Sequence, residues 1–194
     1  KAKYMATITD VSELNELYDF IEDVDAPALQ LGGGSNMLFC TDYPGVIVRN
    51  AMADISLHAP RKIRCGAGAK LDDVVRFSIE HELYGLEPLS YIPGSIGGAI
   101  ALNAGAYGST ISHVLDSVRV YDIDTNHTLN LEAKELNYWH RSSVFRTQRG
   151  GRWIILDADL KVSQKPLAYN HQKLDPGLAG EELRQLIHTL RTHL

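Results

Sequence analysis

Apolar residues recur at helical spacing in three stretches of this chain and cluster in short runs between them. Val11, Leu14, Leu17, Tyr18 and Ile21 share one face of a predicted helix, and Asp10-Val11-Ser12-Glu13 reads as its capping-box-like start. Leu71, Val74, Val75, Ser78, Ile79 and Leu83 predict a second helix over 71–83, with Gly85 as its C-cap. A third is expected over 181–194, with Leu183, Leu186, Ile187 and Leu190 turned inward. Short apolar runs predict strands at 28–31, 46–48, 55–57, 63–65, 118–123, 128–131 and 153–162. Turn residues punctuate them at Pro44-Gly45, Pro60 and Asp124-Thr125-Asn126, and 166–180 reads as loop.

This order of many strands and few helices is α+β, without strict strand–helix alternation. It divides into a small lobe at 1–67 and a larger one at 68–194, which leaves a cleft between two bodies. Hydrophobic residues make up 44% and charged residues 22%, the balance of a globular domain and not of a disordered chain. The formal charge of −5 argues against nucleic acid as a partner, because phosphate backbones are bound by clustered Lys and Arg. One cationic run exists, Arg141, Arg146, Arg149 and Arg152; it reads either as a solvated loop or as a site for a small anion.

Cys40 and Cys65 form neither a CxxC motif nor a disulfide framework, so reduced thiols in a cytoplasmic protein are expected. No apolar run reaches the ~20 residues of a membrane span. The opening Lys1-Ala2-Lys3-Tyr4-Met5-Ala6 lacks the apolar core of a signal peptide. The histidines other than His140, at 58, 81, 113, 127, 171, 188 and 193, form no HExxH or Cys/His cluster, so no metal site is expected.

Two glycine-rich motifs carry the chemistry. Gly32-Gly33-Gly34-Ser35-Asn36 directly follows a predicted strand. Its backbone N–H groups can form an anion-binding concavity, Ser35 and Asn36 add donors, and a diphosphate is the natural guest. A flexible turn is the other reading. Met37 excludes the GxGxxG dinucleotide motif, and no Gly-Lys-Ser/Thr makes it a P-loop. The second motif runs Pro93-Gly94-Ser95-Ile96-Gly97-Gly98-Ala99-Ile100-Ala101-Leu102-Asn103-Ala104-Gly105-Ala106-Tyr107-Gly108. Such small residues suit a backbone pressed against a flat ring system; close packing of a helix on a strand wants them too. Pro93 stands where a GxSxG nucleophile elbow needs its first Gly, which argues against a hydrolase at Ser95.

These two motifs in this order resemble the two-lobed FAD-binding fold of the vanillyl-alcohol-oxidase type. The stretch Tyr138-Trp139-His140-Arg141-Ser142-Ser143-Val144-Phe145-Arg146 narrows the resemblance to the UDP-N-acetylenolpyruvoylglucosamine reductase family. The resemblance implies FAD held between the lobes, by residues 32–36 and by Pro93, Gly94, Ser95, Gly97, Gly98, Ala99, Asn103, Gly105, Ala106, Tyr107 and Gly108. It implies NADPH as co-substrate, a UDP-sugar as substrate, a monomer in the cytoplasm, and a hydride delivered to an enolpyruvyl group. Arg141 matches the family's catalytic arginine, and a planar, permanently charged fork suits a carboxylate on which negative charge builds. His140 departs from the tyrosine expected before that arginine. Tyr169 resembles a substrate-side tyrosine on a mobile loop. The family's serine proton donor and its glutamate belong to a third, substrate-binding domain expected after residue 194, so the chain is expected to be the FAD-binding part, inactive alone. A flavin-binding module without turnover and another oxidoreductase of the same fold are the competing readings.

Overall fold

In the computed structural model, residues 1–147 and 151–192 are described. Strand β1 (Ala2–Ile8), helix α1 (Glu13–Asp23), β2 (Ala28–Leu31) and β3 (Tyr43–Asn50) build the small lobe. Its three strands are parallel in the order β1-β3-β2, with Tyr4 and Ala28 both opposite Val46. A central parallel strand is covered on both faces, which is why Val46, Ile47 and Val48 form an unbroken apolar run. Pro44-Gly45, expected as a turn, lies within β3, where the Val46 N–H continues the chain of bonds by donating to Pro27 O. Strand β1 has no counterpart in the sequence reading. Helix α1 starts at Glu13, not Asp10: the Glu13 carboxylate accepts from Thr9 N–H at 2.8 Å, and Asp10 accepts from Ser12 N–H at 2.8 Å.

The larger sheet is antiparallel in the order β4-β5-β10-β8-β9, from β4 (Ile55–Ala59), β5 (Lys62–Gly66), β8 (Leu115–Asp122), β9 (His127–Glu132) and β10 (Trp153–Lys161). Between β5 and β8 come α2 (Leu71–Glu80), α3 (Ile96–Leu102), the short hairpin β6 (Gly105–Ala106) and β7 (Ser109–Thr110), and α4 (Ile111–Val114). The chain ends in α5 (Gly180–Thr192). Strands β4 and β5, which a division at residue 67 assigns to the small lobe, pair within this larger sheet; the pairing changes over at 51–54. Helix α2 ends at Glu80, short of Leu83, because Glu82 takes the left-handed conformation (φ 53°) that the sequence reading gave to a Gly85 cap.

One strand serves both hydrophobic cores. Against β8, Ile155 pairs with Val120 and Asp157 with Arg119, so Leu156 is an extra residue in the ladder. Such a bulge reverses which face the later side chains take. Ile154 and Leu156 therefore pack with Ile8, Leu14, Tyr18, Val46 and Val48 of the small lobe, while Ala158 and Leu160 join the main core with Ile63, Val74, Ile96 and Ile100. Asn50 Nδ2 donates to Ile155 O at 2.8 Å, tying β3 to the same strand.

Candidate functional site

The two glycine motifs meet. Ser35 Oγ donates to Pro93 O at 3.1 Å. A Cβ on Gly32 would stand 2.5 Å from Ser95 Oγ, one on Gly33 3.1 Å from Gly94 Cα, and one on Gly94 2.7 Å from Ser35 Oγ. Gly33 thus packs on the Gly94 backbone and Gly94 itself has φ 116°, causes the sequence reading did not separate from ligand approach. Gly34 and Gly98 differ. A Cβ on Gly34 would meet nothing within 4 Å, and one on Gly98 only Ser95 Oγ at 3.6 Å, so both front open space.

Backbone donors divide in the same way. At the start of α3 the Ile96 and Gly97 N–H groups already donate to Ala69 O and Ala67 O, each at 2.8 Å, and Gly98 N–H donates to Ser95 Oγ at 3.4 Å. The N–H groups of Gly33, Gly34, Ser35 and Asn36 find no acceptor among the described residues, and all four residues are exposed. The 33–36 loop thus presents unpaired N–H donors of the kind an anion takes up, and α3 presents an open face beside Gly98. Ala99 lies elsewhere: it is buried in the main core with Ile96 and Ile100.

The far end of α3 builds the next part of the site. Asn103 (φ 46°) caps the helix, and its side chain accepts from Ser112 N–H at 3.4 Å and donates to Trp139 O at 3.2 Å. Gly105 admits the hairpin, since a Cβ there would lie 2.3 Å from Ser109 O. Tyr107 and Gly108, both at positive φ, make its two-residue turn, and Ala106 of β6 before it is half-buried. Ser143 Oγ donates to Ala101 O at 2.8 Å, so α3 also anchors the 137–146 segment. There Trp139 and Ser142 exchange backbone hydrogen bonds at 3.1 and 3.2 Å, which puts His140 and Arg141 at the tip of a tight turn. Arg141 (φ 54°) is exposed and has no acid partner among the described residues, while Arg146 donates to its carbonyl oxygen at 3.0 Å. Arg152 pairs instead with Asp124, and Arg149 lies outside the described residues. The expected cationic run is thus divided.

Tyr169 is packed inward. Its ring joins the cluster of Leu174, Leu183 and Ile187, and its hydroxyl donates to Glu87 Oε2 at 2.7 Å. Burial raises the Tyr169 pKa well above the ordinary phenol value, and the neighbouring Glu87 carboxylate raises it further. Glu87 is fully buried and also accepts from Gly85 N–H at 2.6 Å and Gly180 N–H at 3.3 Å. The sequence reading missed Glu87, whose only signal is a lone acid inside the apolar run 83–89. It also missed Asp72 and Arg184, a bidentate pair at 2.7 and 2.8 Å that joins α2 to α5. No hydrogen bond, ion pair or ring contact links Tyr169 to Arg141. No helix among the described residues is long and apolar enough to cross a membrane.

Known proteins match this arrangement. The structure of a UDP-N-acetylenolpyruvylglucosamine reductase from Thermus caldophilus superposes with a TM-score of 0.72 over 97% of this chain and 61% of that one, at 23% identity. A curated UDP-N-acetylenolpyruvoylglucosamine reductase of Bacteroides fragilis is 31% identical over 193 residues, covering 93% of this chain and 54% of the relative. One from Photobacterium profundum is 37% identical over 133 residues, 67% of this chain and 38% of the relative. The chain spans about half the length of these curated relatives. Residues 2–131 match the family described as FAD binding domain, so the chain belongs to the FAD binding domain family, and the relatives it resembles are reductases of UDP-N-acetylenolpyruvoylglucosamine.

Proposed function

We propose that this chain holds FAD across the junction of its two lobes, as part of a reductase that converts UDP-N-acetylglucosamine enolpyruvate to UDP-N-acetylmuramate with NADPH. The observation that supports it best is the meeting of Gly32–Ser35 with Pro93–Ser95, which leaves free N–H groups on one side and open glycine backbone on the other. Bound FAD would supply the redox chemistry, accepting a hydride from NADPH and passing it on to the substrate.

The protein's own residues do the rest. Gly33 to Asn36 offer N–H donors to the diphosphate, and Gly98 leaves room for the ring. Arg141 meets the substrate carboxylate. As hydride reaches the enolpyruvyl β-carbon, negative charge moves onto that carboxylate, and a fixed guanidinium stabilises this state more than the ground state. The turn formed by Trp139 and Ser142, held on α3 by Asn103 and Ser143, fixes where the guanidinium starts.

Stopped-flow flavin absorbance tests this in the full-length enzyme. Arg141→Ala should slow flavin reoxidation by the enolpyruvyl substrate about 10²–10³-fold and leave reduction by NADPH nearly unchanged. Equal slowing of both halves would assign Arg141 a general shaping role, and an unaffected second half would remove it from catalysis.

A further inference from the structure

A second concave site is built without any residue of the two glycine motifs or of the Arg141 turn. This cleft, about 370 Å³ in volume, forms where the β4–β5 turn, α4 and the segment after β10 come together. Backbone hydrogen bonds hold its walls. Val162 N–H donates to Arg61 O at 3.0 Å, and Tyr84 and Ser163 exchange bonds at 2.8 Å. Lys165 N–H donates to Ser163 Oγ at 3.0 Å, and that hydroxyl donates to Lys165 O at 2.6 Å, which fixes the outgoing chain. Arg61, His113, Lys161 and Lys165 line the cleft, and no Asp or Glu does. In a chain of net charge −5 this is a local reversal of sign. Lys161 is neutralised by Asp116 at 2.6 Å, whereas Arg61 and Lys165 have no acid partner among the described residues. His113 Nδ1 accepts from Thr110 N–H at 3.3 Å, which leaves Nε2 to carry the ring proton as a further donor. The floor is apolar: a Cβ on Gly85 would lie 3.7 Å from both Leu167 Cδ1 and Val114 Cγ1. A single exposed lysine needs no explanation, but cations from three separate segments sharing one hollow without an acid do. A cleft lined by one sign of charge over low-dielectric walls focuses the field and draws in a counter-ion.

We propose that this cleft binds a small organic phosphate, at a site separate from the one proposed for FAD. Two unpaired cations, Arg61 and Lys165, match in charge a phosphate monoester, which is close to doubly ionised at neutral pH. Arginine supplies a planar fork for two of its oxygens and lysine a compact point charge. A carboxylate, singly charged, leaves one of the two cations unmatched. The floor of Gly85, Val114 and Leu167 takes the apolar body of the ester, which inorganic phosphate lacks. The cleft volume lies near the lower end of the ~300–1,000 Å³ typical of small-molecule sites, so a compact ester fits better than a dinucleotide.

The test titrates the isotope-labelled chain with phenyl phosphate and, separately, with inorganic phosphate at constant ionic strength, and follows amide chemical shifts by NMR. The amides of Gly85, Val114, Ser163 and Gln164 should shift and saturate, with a dissociation constant of about 1 mM for phenyl phosphate and a several-fold weaker one for inorganic phosphate. Reading these four amides keeps the result apart from any anion taken up by the 33–36 loop. Arg61→Gln combined with Lys165→Gln should weaken phenyl phosphate at least about tenfold, the scale of lost charged hydrogen bonds. Both side chains are exposed and unpaired, so the double variant should melt like the unsubstituted chain. Shifts at the four amides no larger than those given by sodium chloride at the same ionic strength would overturn the proposal. So would an unchanged affinity for phenyl phosphate in the folded double variant.

Discussion

Ser35 and Pro93, 58 residues apart in sequence, are joined by a 3.1 Å hydrogen bond from the serine hydroxyl to the proline carbonyl oxygen. Ser35 follows the small lobe's β2 strand, and Pro93 precedes the large lobe's α3, so the bond fixes the two walls of the site relative to each other. Ser35→Ala removes it without adding bulk. The expected result is a FAD affinity about fivefold weaker, equivalent to ~1 kcal/mol, with little change in melting temperature because the bond is exposed. Flavin fluorescence titration measures the first and a thermal melt the second.

The Tyr169 hydroxyl is one of three donors to the buried Glu87 carboxylate. Tyr169→Phe leaves a buried anion short of a donor and should cost about 1–3 kcal/mol of stability, more than an exposed tyrosine would. In urea unfolding, Tyr169→Phe combined with Glu87→Gln should be less destabilised than the sum of the two single variants, since both remove one interaction. Additive effects would mean that the hydrogen bond contributes nothing of its own.

Burial opposes ionisation of Asp72, but its hydrogen bonds from Arg184 and the Tyr91 N–H outweigh that and hold its carboxyl below the ordinary value. The sign follows from linkage. A depressed folded-state pKa contributes stability that is fully present above the unfolded value, about pH 4, and is lost as pH falls through the folded value. Unfolding midpoints measured from pH 6 downward should therefore show a shallower acid loss for Asp72→Asn than for the unsubstituted protein. Parallel curves would contradict this.

Much of this arrangement is legible in the sequence, and the unreadable parts have identifiable causes. Helical periodicity places α1, α2 and α5 because each buries one stripe. Strand β1 escapes notice because its residues are mostly exposed at a sheet edge, so no apolar alternation marks it. The Pro44-Gly45 pair looks like a turn but sits inside β3, where tertiary pairing decides the backbone. Glycine count finds the site but not each glycine's reason: Gly33 packs on the Gly94 backbone, Gly34 and Gly94 have positive φ (72° and 116°), and Gly98 fronts open space. Helix α3, hidden in the Gly/Ala run, packs Gly97 on Ala67 and leaves Gly98 facing open space. Glu87 carries only a faint local signal, since its partners Gly180 and Tyr169 are distant in sequence.

The central claim is that the open face at Gly98 receives the flavin ring, and Gly97 provides the control. A Cβ on Gly97 would lie 3.1 Å from Ala67 Cβ and 3.2 Å from Ala67 O, inside the packed contact of α3 with the residues after β5. Gly97→Val should therefore lower thermal stability, by about 1–3 kcal/mol of overpacking. Gly98→Val points into open space and should melt like the unsubstituted chain. The decisive measurement is FAD titration of the Gly98→Val variant, followed by flavin absorbance after gel filtration. The account predicts a folded protein whose FAD affinity falls at least about tenfold. A folded Gly98→Val variant that binds FAD as tightly as the unsubstituted chain would contradict it.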